Sequence, residues 1–151
     1  MTSAAEGFDQ ARRVAQLLIG AAECAKADFA AIVGELDLPP NLARAVVALD
    51  EPTPMRDLAD RLVCDRSYVT GIADGLEQRG LVERVPGVDR RIKLLSLTAR
   101  GRDVRERVMA GVAGGSVLLT RLTPEQRATL EPLLEALVQG QRTALPDAAA
   151  S

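Results

Sequence analysis

Apolar residues recur every three to four positions over three long stretches of the chain, a spacing typical of amphipathic helices. The first stretch runs from about Asp9 to Gly34, the second begins near Ala99, and the third follows Thr123. The stripe of the second stretch continues as far as Leu122, but three glycines, at 111, 114 and 115, interrupt it. Because each glycine weakens a helix by about 1 kcal/mol relative to alanine, we expect a kink there.

Shorter helices are predicted in the middle of the chain. Pro39 and Pro40 end the first long helix, and Asn41 is suited to cap a helix of sequence LARAVVALDE. A helix MRDLADRLV ends near Val63, and after a tight turn another helix runs from Arg66 to Arg79. This pair of helices has the order of a helix-turn-helix.

A β-hairpin is predicted directly after this pair. Gly80 is suited to end the helix, and residues 81–85 and 93–97 have the composition of strands. The turn-rich loop between them contains Asp89, Arg90 and Arg91. The predicted fold is therefore mainly α with a small β-hairpin wing, an α+β arrangement.

The same pattern divides the chain into four parts. Residues 39–101 form the predicted winged helix-turn-helix, residues 1–38 and 102–142 form flanking helices, and residues 143–151 form a small polar tail that we expect to be disordered. Neither flank has enough partners to bury its apolar stripe alone. We therefore expect the flanking helices to form a symmetric homodimer.

Composition narrows the possible functions. The 151 residues include no histidine and only two cysteines, so the usual parts of a hydrolase, a zinc site or a disulfide framework are missing. We predict neither a metal nor a cofactor. No apolar run reaches the roughly 20 residues that a membrane span requires, and the N-terminus lacks a signal pattern. We expect a cytoplasmic protein.

The distribution of charge indicates where an anionic partner could bind. The net charge is −2, but residues 54–102 carry ten basic and seven acidic side chains, whereas the remainder carries nine and fourteen. The excess of arginine thus falls on the predicted winged helix-turn-helix, where binding to DNA would require positive charge.

Individual side chains fit this interpretation. Ala59, Val69 and Ile72 suit the apolar inner surface of a helix-turn-helix, with Leu58, Leu62 and Leu76 completing a small core. Polar residues at the start of the second helix would face a major groove, and exposed arginines at the hairpin tip suit a narrow, electronegative minor groove. The predicted DNA-binding set is Arg56, Arg66, Ser67, Tyr68, Thr70, Asp89, Arg90 and Arg91. Arg56 and Arg66 are candidates for phosphate contacts, and Asp89 could brace one arginine.

These motifs together resemble the MarR family of winged-helix bacterial transcription regulators. The matching segments are MRDLA at 55–59, D-x-S-x-VT at 65–70, LE-x-x-GLV-x-R at 76–84, DRR at 89–91 and LT-x-x-G at 97–101. The resemblance implies a dimer, most often a repressor, that binds pseudo-palindromic double-stranded DNA and responds to a small molecule or to oxidation. It also implies that Ser67, Tyr68 and Thr70 lie on the major-groove helix. Arg91, supported by Asp89, would enter the minor groove, with Arg90 at or near the backbone.

Three alternatives remain open at this point. Cys64, at the junction of the two helices, could be a redox sensor or simply a small buried residue, and Cys24 is a weaker candidate. The winged helix could be a protein-interaction module without DNA binding, in which case the charged tip would be a solvated loop. A small helical enzyme is disfavoured by the absence of histidine and of a phosphate-binding loop.

Overall fold

A long N-terminal helix, a central unit of helices and a small sheet, and a set of C-terminal helices follow one another along the chain. The computed structural model describes residues 4–142, so the predicted tail at 143–151 lies outside the described residues. The elements are α1 (Ala4–Gly34), α2 (Pro40–Ala48), β1 (Thr53–Pro54), α3 (Met55–Leu62), α4 (Arg66–Gln78), β2 (Val82–Pro86), β3 (Lys93–Leu97), α5 (Ala99–Gly115), α6 (Val117–Arg121) and α7 (Pro124–Arg142).

The central unit packs around one apolar core, which confirms the core positions predicted from the sequence. Helices α2, α3 and α4 and the sheet supply most of it, while α1 and α5 contribute Val33 and Val108. The side chains buried below one-tenth exposure include Leu42, Ala43, Val46, Leu49, Leu58, Ala59, Leu62, Val69, Ile72, Leu76, Leu81, Val82, Leu95 and Leu97. Burial of these aliphatic groups is the main force that holds α4 in place.

The sheet has three antiparallel strands in the order β1-β3-β2. In the hairpin, Val82 pairs with Leu97 and Pro86 with Lys93, so the predicted second strand is confirmed and the first is displaced by one residue. Leu81 is outside the strand because its amide donates to the carbonyl oxygen of Leu76, 3.0 Å away. The two-residue β1, which pairs with β3, was not predicted, because two residues show no periodicity.

Two predicted helix boundaries in this region are confirmed, the end of α4 before Gly80 and the start of α5 at Ala99. Gly80 follows α4 with a φ of 67°, the left-handed conformation that glycine adopts without steric cost. Thr98 caps α5, and its hydroxyl oxygen accepts from the amide of Gly101 at 3.1 Å. The ends of the hairpin and the start of α5 are therefore fixed by local sequence.

Two predicted boundaries near the N-terminus were wrong. The first helix is already formed at Ala4, five residues before the expected start at Asp9. Asn41 is not an N-cap, because it lies inside α2, whose cap position is Pro39 with Pro40 in the first turn. Proline has no amide hydrogen and a fixed φ, so Pro40 starts the helix without a capping side chain.

The predicted kink in the C-terminal region is a complete break. Helix α5 ends at Gly115, and α6 starts at Val117 after Ser116. The amide of Val117 donates to the Asp28 carboxylate of α1 at 2.8 Å, so a side chain from another helix satisfies the new start. Helix α7 begins with reciprocal bonds between Thr123 and Gln126, as the sequence TPEQ predicts.

Candidate nucleic-acid interface

The turn between α3 and α4 reverses the chain through a left-handed valine. Val63 has a φ of 54° and a ψ of 52°. Its amide and that of Cys64 donate to the carbonyl oxygens of Asp60 and Ala59, at 3.2 and 3.1 Å. These hydrogen bonds give the last carbonyl groups of α3 a donor. The residue that adopts the left-handed conformation at such a helix end is usually glycine. A β-branched valine adopts this conformation only with backbone strain.

Helix α4 has one buried and one exposed face. Val69, Ile72, Ala73 and Leu76 are buried against the core. At about 100° per residue, the positions directly opposite are Ser67, Gly71, Asp74 and Gln78, all of them exposed. Thr70 and Tyr68 flank this line on its two sides, and Tyr68 is 52% exposed, so it does not pack beneath the hairpin. The polar face of α4 is thus open to a groove-sized partner.

The two arginines predicted to contact phosphate are both exposed but differ in their local bonds. Arg56, in the first turn of α3, forms an ion pair with Asp57 at 3.3 Å. Arg66 starts α4, and its carbonyl oxygen accepts from the hydroxyl of Thr70 at 3.3 Å. The Thr70 hydroxyl is therefore engaged with its own helix in this state.

The hairpin tip is a tight turn built by backbone bonds. The amide of Ile92 donates to the carbonyl oxygen of Asp89 and the amide of Gly87 to that of Ile92, both at 2.9 Å. Arg90 and Arg91 occupy the two central positions of this turn and are exposed. The tip therefore presents both guanidinium groups outward from a defined backbone.

Asp89 supports this tip in a different way from the one predicted. Its carboxylate accepts from the backbone amide of Arg91 at 3.0 Å, and among residues 4–142 it forms no ion pair with either tip guanidinium. An aspartate bonded to the amide two residues later closes a turn and needs no cation. Asp89 thus holds the backbone that carries Arg91 and leaves the guanidinium available.

Arg84 connects the hairpin to α4, a role that its place in the sequence did not indicate. Arg84, in the middle of β2, contacts Asp74 through Nη2 and Oδ1 at 2.5 Å and Glu77 through Nε and Oε2 at 3.6 Å. These partners lie seven to ten positions away, which no short-range charge pattern would indicate. In the described part of the chain, no hydrogen bond or ion pair joins the tip arginines to Ser67 or Tyr68. Arg84 makes the polar connection between the two surfaces.

The surroundings of Cys64 do not activate its thiol. Burial raises the pKa of the Cys64 thiol above its ordinary value, Arg44 opposes this shift, and Asp65 adds to it. Arg61, although close in sequence to Cys64, pairs with Asp50 at 2.6 Å. A reactive cysteine requires a stabilised thiolate, so this setting disfavours redox sensing at Cys64. Cys24 is exposed on α1.

Comparison with protein families gives one match. The model of the MarR family matches residues 50–93, which span β1, α3, α4 and the hairpin. This segment of the chain is therefore similar to the MarR family. This confirms the resemblance inferred from the motifs, and the mainly helical fold with its small antiparallel sheet is that of the MarR winged helix.

Several solved structures are similar over most of the chain. A probable transcriptional regulator from Pseudomonas aeruginosa is 28% identical with a TM-score of 0.66, covering 82% of this chain and 96% of that one. NadR in complex with 4-hydroxyphenylacetate is 29% identical with a TM-score of 0.69, covering 80% and 89%. A MarR mutant from E. coli complexed with operator DNA is 23% identical with a TM-score of 0.69, covering 86% and 96%, and shows the fold alone.

The family match and the similar regulator structure support a DNA-binding transcriptional regulator of the MarR type. No curated protein sequence matches the chain. In the part of the chain that the structure describes, no helix is long and apolar enough to cross a membrane.

Proposed function

We propose that this protein is a homodimeric, sequence-specific DNA-binding repressor that responds to a small molecule. The observation that carries the proposal is the combination of an exposed polar face on α4 with an arginine-tipped wing, joined through Arg84 in a MarR-family domain. An exposed helix and a wing on one small domain suit adjacent grooves of a duplex.

Each predicted residue has a role in this proposal. Ser67, Tyr68 and Thr70 contact bases or phosphates in the major groove, where short polar side chains permit close approach. Arg91 enters the minor groove from the turn that Asp89 closes, and Arg90 contacts the backbone. Arg56 and Arg66 contact phosphates and neutralise their charge. Together these residues form the predicted DNA-binding set: Arg56, Arg66, Ser67, Tyr68, Thr70, Asp89, Arg90 and Arg91.

Exposed apolar surface on the flanking helices supports the dimer. In a single chain, Leu17 of α1 is 73% exposed, and Leu133 and Leu137 of α7 are 60% and 56% exposed. Phe8, Val14, Ile19, Leu118 and Leu119 are exposed as well. Exposure of this many large apolar side chains is unfavourable in water, and a second copy would cover them along a two-fold axis. Such a dimer would place two winged helices on a pseudo-palindromic site.

A cavity of about 610 Å³ between α1, α2 and the α5–α6 break is the candidate effector site. Phe29, Ile32 and Val112 line its apolar part. Lys26 and Arg44 supply positive charge, while the one lining carboxylate, Asp28, accepts from the amide of Val117. This lining suits an anionic compound with an apolar body. The similar protein NadR was solved in complex with 4-hydroxyphenylacetate, so we choose this aromatic acid as the first probe.

Arg44 offers a route from this cavity to the DNA-binding surface. Its guanidinium donates to the carbonyl oxygen of Leu62, the last residue of α3, at 3.3 Å. An effector carboxylate that binds Arg44 would compete for this bond beside the α3–α4 turn. Differential binding to the two arrangements would then shift α4 and weaken DNA binding.

The test begins with selection of bound duplexes from a random DNA pool by the wild-type protein. The affinities of the wild-type protein and of R91A for the enriched site are then measured. We expect a two-fold symmetric site, and a loss of about 1–3 kcal/mol of binding free energy in R91A. V88A, which changes the neighbouring exposed tip residue, is the control and should bind normally. Failure to enrich any DNA would favour the protein-interaction alternative.

The effector and the output are tested with the same site. Titration with 4-hydroxyphenylacetate should release the wild-type protein from DNA, and R44Q should respond at higher concentrations only. A reporter placed behind the site should be expressed more strongly when the protein is absent, which is the behaviour of a repressor.

A further inference from the structure

Arg84 pairs with two carboxylates of α4, and one of them, Asp74, lies on the exposed line of that helix. It reaches from β2 to Asp74 and Glu77, one helical turn apart on α4, with Nη2 and Nε pointing to different carboxylates. The planar guanidinium can serve both partners at once, which a lysine ammonium cannot do with the same geometry. This fork therefore joins the wing strand to the helix at two points.

Asp74 is an unexpected residue at its position. It stands on the line of Ser67, Gly71 and Gln78, directly opposite the buried face of α4. A free carboxylate there would repel the phosphates of a duplex approaching this face. Pairing with Arg84 neutralises it, so the same contact removes a repulsive charge and connects the two DNA-binding elements.

Stability alone does not account for this contact. The side chains of Arg84, Asp74 and Glu77 are 38%, 52% and 46% exposed, and ion pairs with this much solvent contribute little to folding. Binding is different, because a duplex must meet α4 and the wing tip together. A fixed angle between them lowers the ordering cost at that step.

We propose that Arg84 is a positioning residue that sets the wing against the recognition helix through Asp74 and Glu77, and that specific DNA binding depends on this fork. The proposal rests on the proposed DNA-binding function. Two other roles would give different results. If Arg84 contacted a phosphate directly, DNA binding would not depend on Asp74. If Asp74 contacted a base directly, DNA binding would not depend on Arg84.

The decisive variant is D74N, because removal of a negative charge should by itself strengthen binding to DNA. If the fork positions the wing, D74N instead weakens binding to the selected site by about fivefold, within the usual range for coupled residues. Binding to a random duplex of equal length stays the same or becomes tighter. R84Q should weaken specific binding by at least as much, and the D74N/R84Q double variant should be no worse than R84Q alone.

E83Q is the matched control, since it removes an exposed carboxylate from the neighbouring position of β2. It should leave specific binding unchanged or slightly tighter. D74N binding of the selected site as tightly as wild type, or additive effects of D74N and R84Q, would overturn the proposal. If the wild-type protein binds no selected site, the proposed DNA-binding function is wrong. The positioning role of Arg84 is then tested on the protein without DNA.

A second measurement, of the distance between the wing tip and α4, is made on the protein without DNA. Spin labels attached through V88C at the wing tip and Q78C on α4, with Cys24 and Cys64 replaced by serine, report the distance between the two elements. We expect a narrow distance distribution in the parent protein, a broad one in R84Q and D74N, and partial recovery of the narrow one in R84K. An equally narrow distribution in R84Q would refute the positioning role, whatever the outcome with DNA.

Discussion

Ile32 of α1 fills the space that a side chain at Gly111 of α5 would need. A Cβ built at position 111 would lie 2.5 Å from Cγ2 of Ile32, closer than any ordinary contact. This atom is attached to the branched Cβ of Ile32, so it cannot swing away as the end of a flexible chain would. The glycine therefore allows the long N-terminal helix to pack tightly on α5.

This contact predicts opposite effects for two glycines of the same helix. G111A should destabilise the protein by about 1–3 kcal/mol because the added methyl group overpacks the α1–α5 contact. G114A should stabilise it by up to about 1 kcal/mol, since alanine favours helix and nothing lies within 4 Å of a Cβ there. Urea unfolding at fixed protein concentration measures both, and equal effects would show that the Ile32 contact does not matter.

Several glycines illustrate what sequence could and could not predict. Local rules correctly placed Gly80 at the end of α4, because the left-handed conformation depends on neighbouring residues only. The weakness at Gly111, Gly114 and Gly115 was also visible, but the break at Ser116 depends on Asp28 from a distant helix. The packing role of Gly111 was invisible for the same reason.

The candidate site shows the same division. The exposed residues of α4 and the arginine tip followed from periodicity and turn composition. The Arg84 fork did not, because its partners are brought together by the fold and not by spacing. The expected brace between Asp89 and an arginine was replaced by a backbone bond, since the turn geometry places the Arg91 amide, not its guanidinium, beside the carboxylate.

Gly71 should show a conflict between stability and binding. It lies mid-helix on the exposed line of α4, and nothing within 4 Å of a Cβ requires glycine there. G71A should therefore stabilise the free protein by about 0.5–1 kcal/mol. The same methyl group should weaken DNA binding, because it stands where α4 would approach the groove most closely. Melting temperature and affinity for the selected site test both effects, with G114A as the control that should change stability only. Unchanged affinity in G71A would place the groove contact elsewhere on α4.

The raised pKa of Cys64 predicts a reactivity that depends on pH. Burial favours the neutral thiol, so alkylation in the folded protein should reach its half-maximal rate at a higher pH than in the urea-unfolded chain. The thiol's contribution to stability is complete below the pKa of the unfolded thiol and is lost as pH rises through the folded one. Iodoacetamide rates measured in a C24S background test this directly. A midpoint at or below that of the unfolded chain would restore Cys64 as a redox candidate.

Val63 predicts a stabilising substitution at the α3–α4 turn. The left-handed conformation at φ 54° is unfavourable for a β-branched residue and free of steric cost for glycine. The strain is on the order of 1–3 kcal/mol, and part of its relief is offset by the extra freedom of glycine in the unfolded chain. V63G should therefore raise the free energy of unfolding by about 1 kcal/mol. V63A retains the Cβ and most of the strain, so it should gain much less. Denaturant titrations of both variants at one protein concentration measure the two gains in stability. An equal gain in V63A and V63G would contradict the prediction. It would mean that the cause is removal of an exposed apolar side chain and not relief of backbone strain.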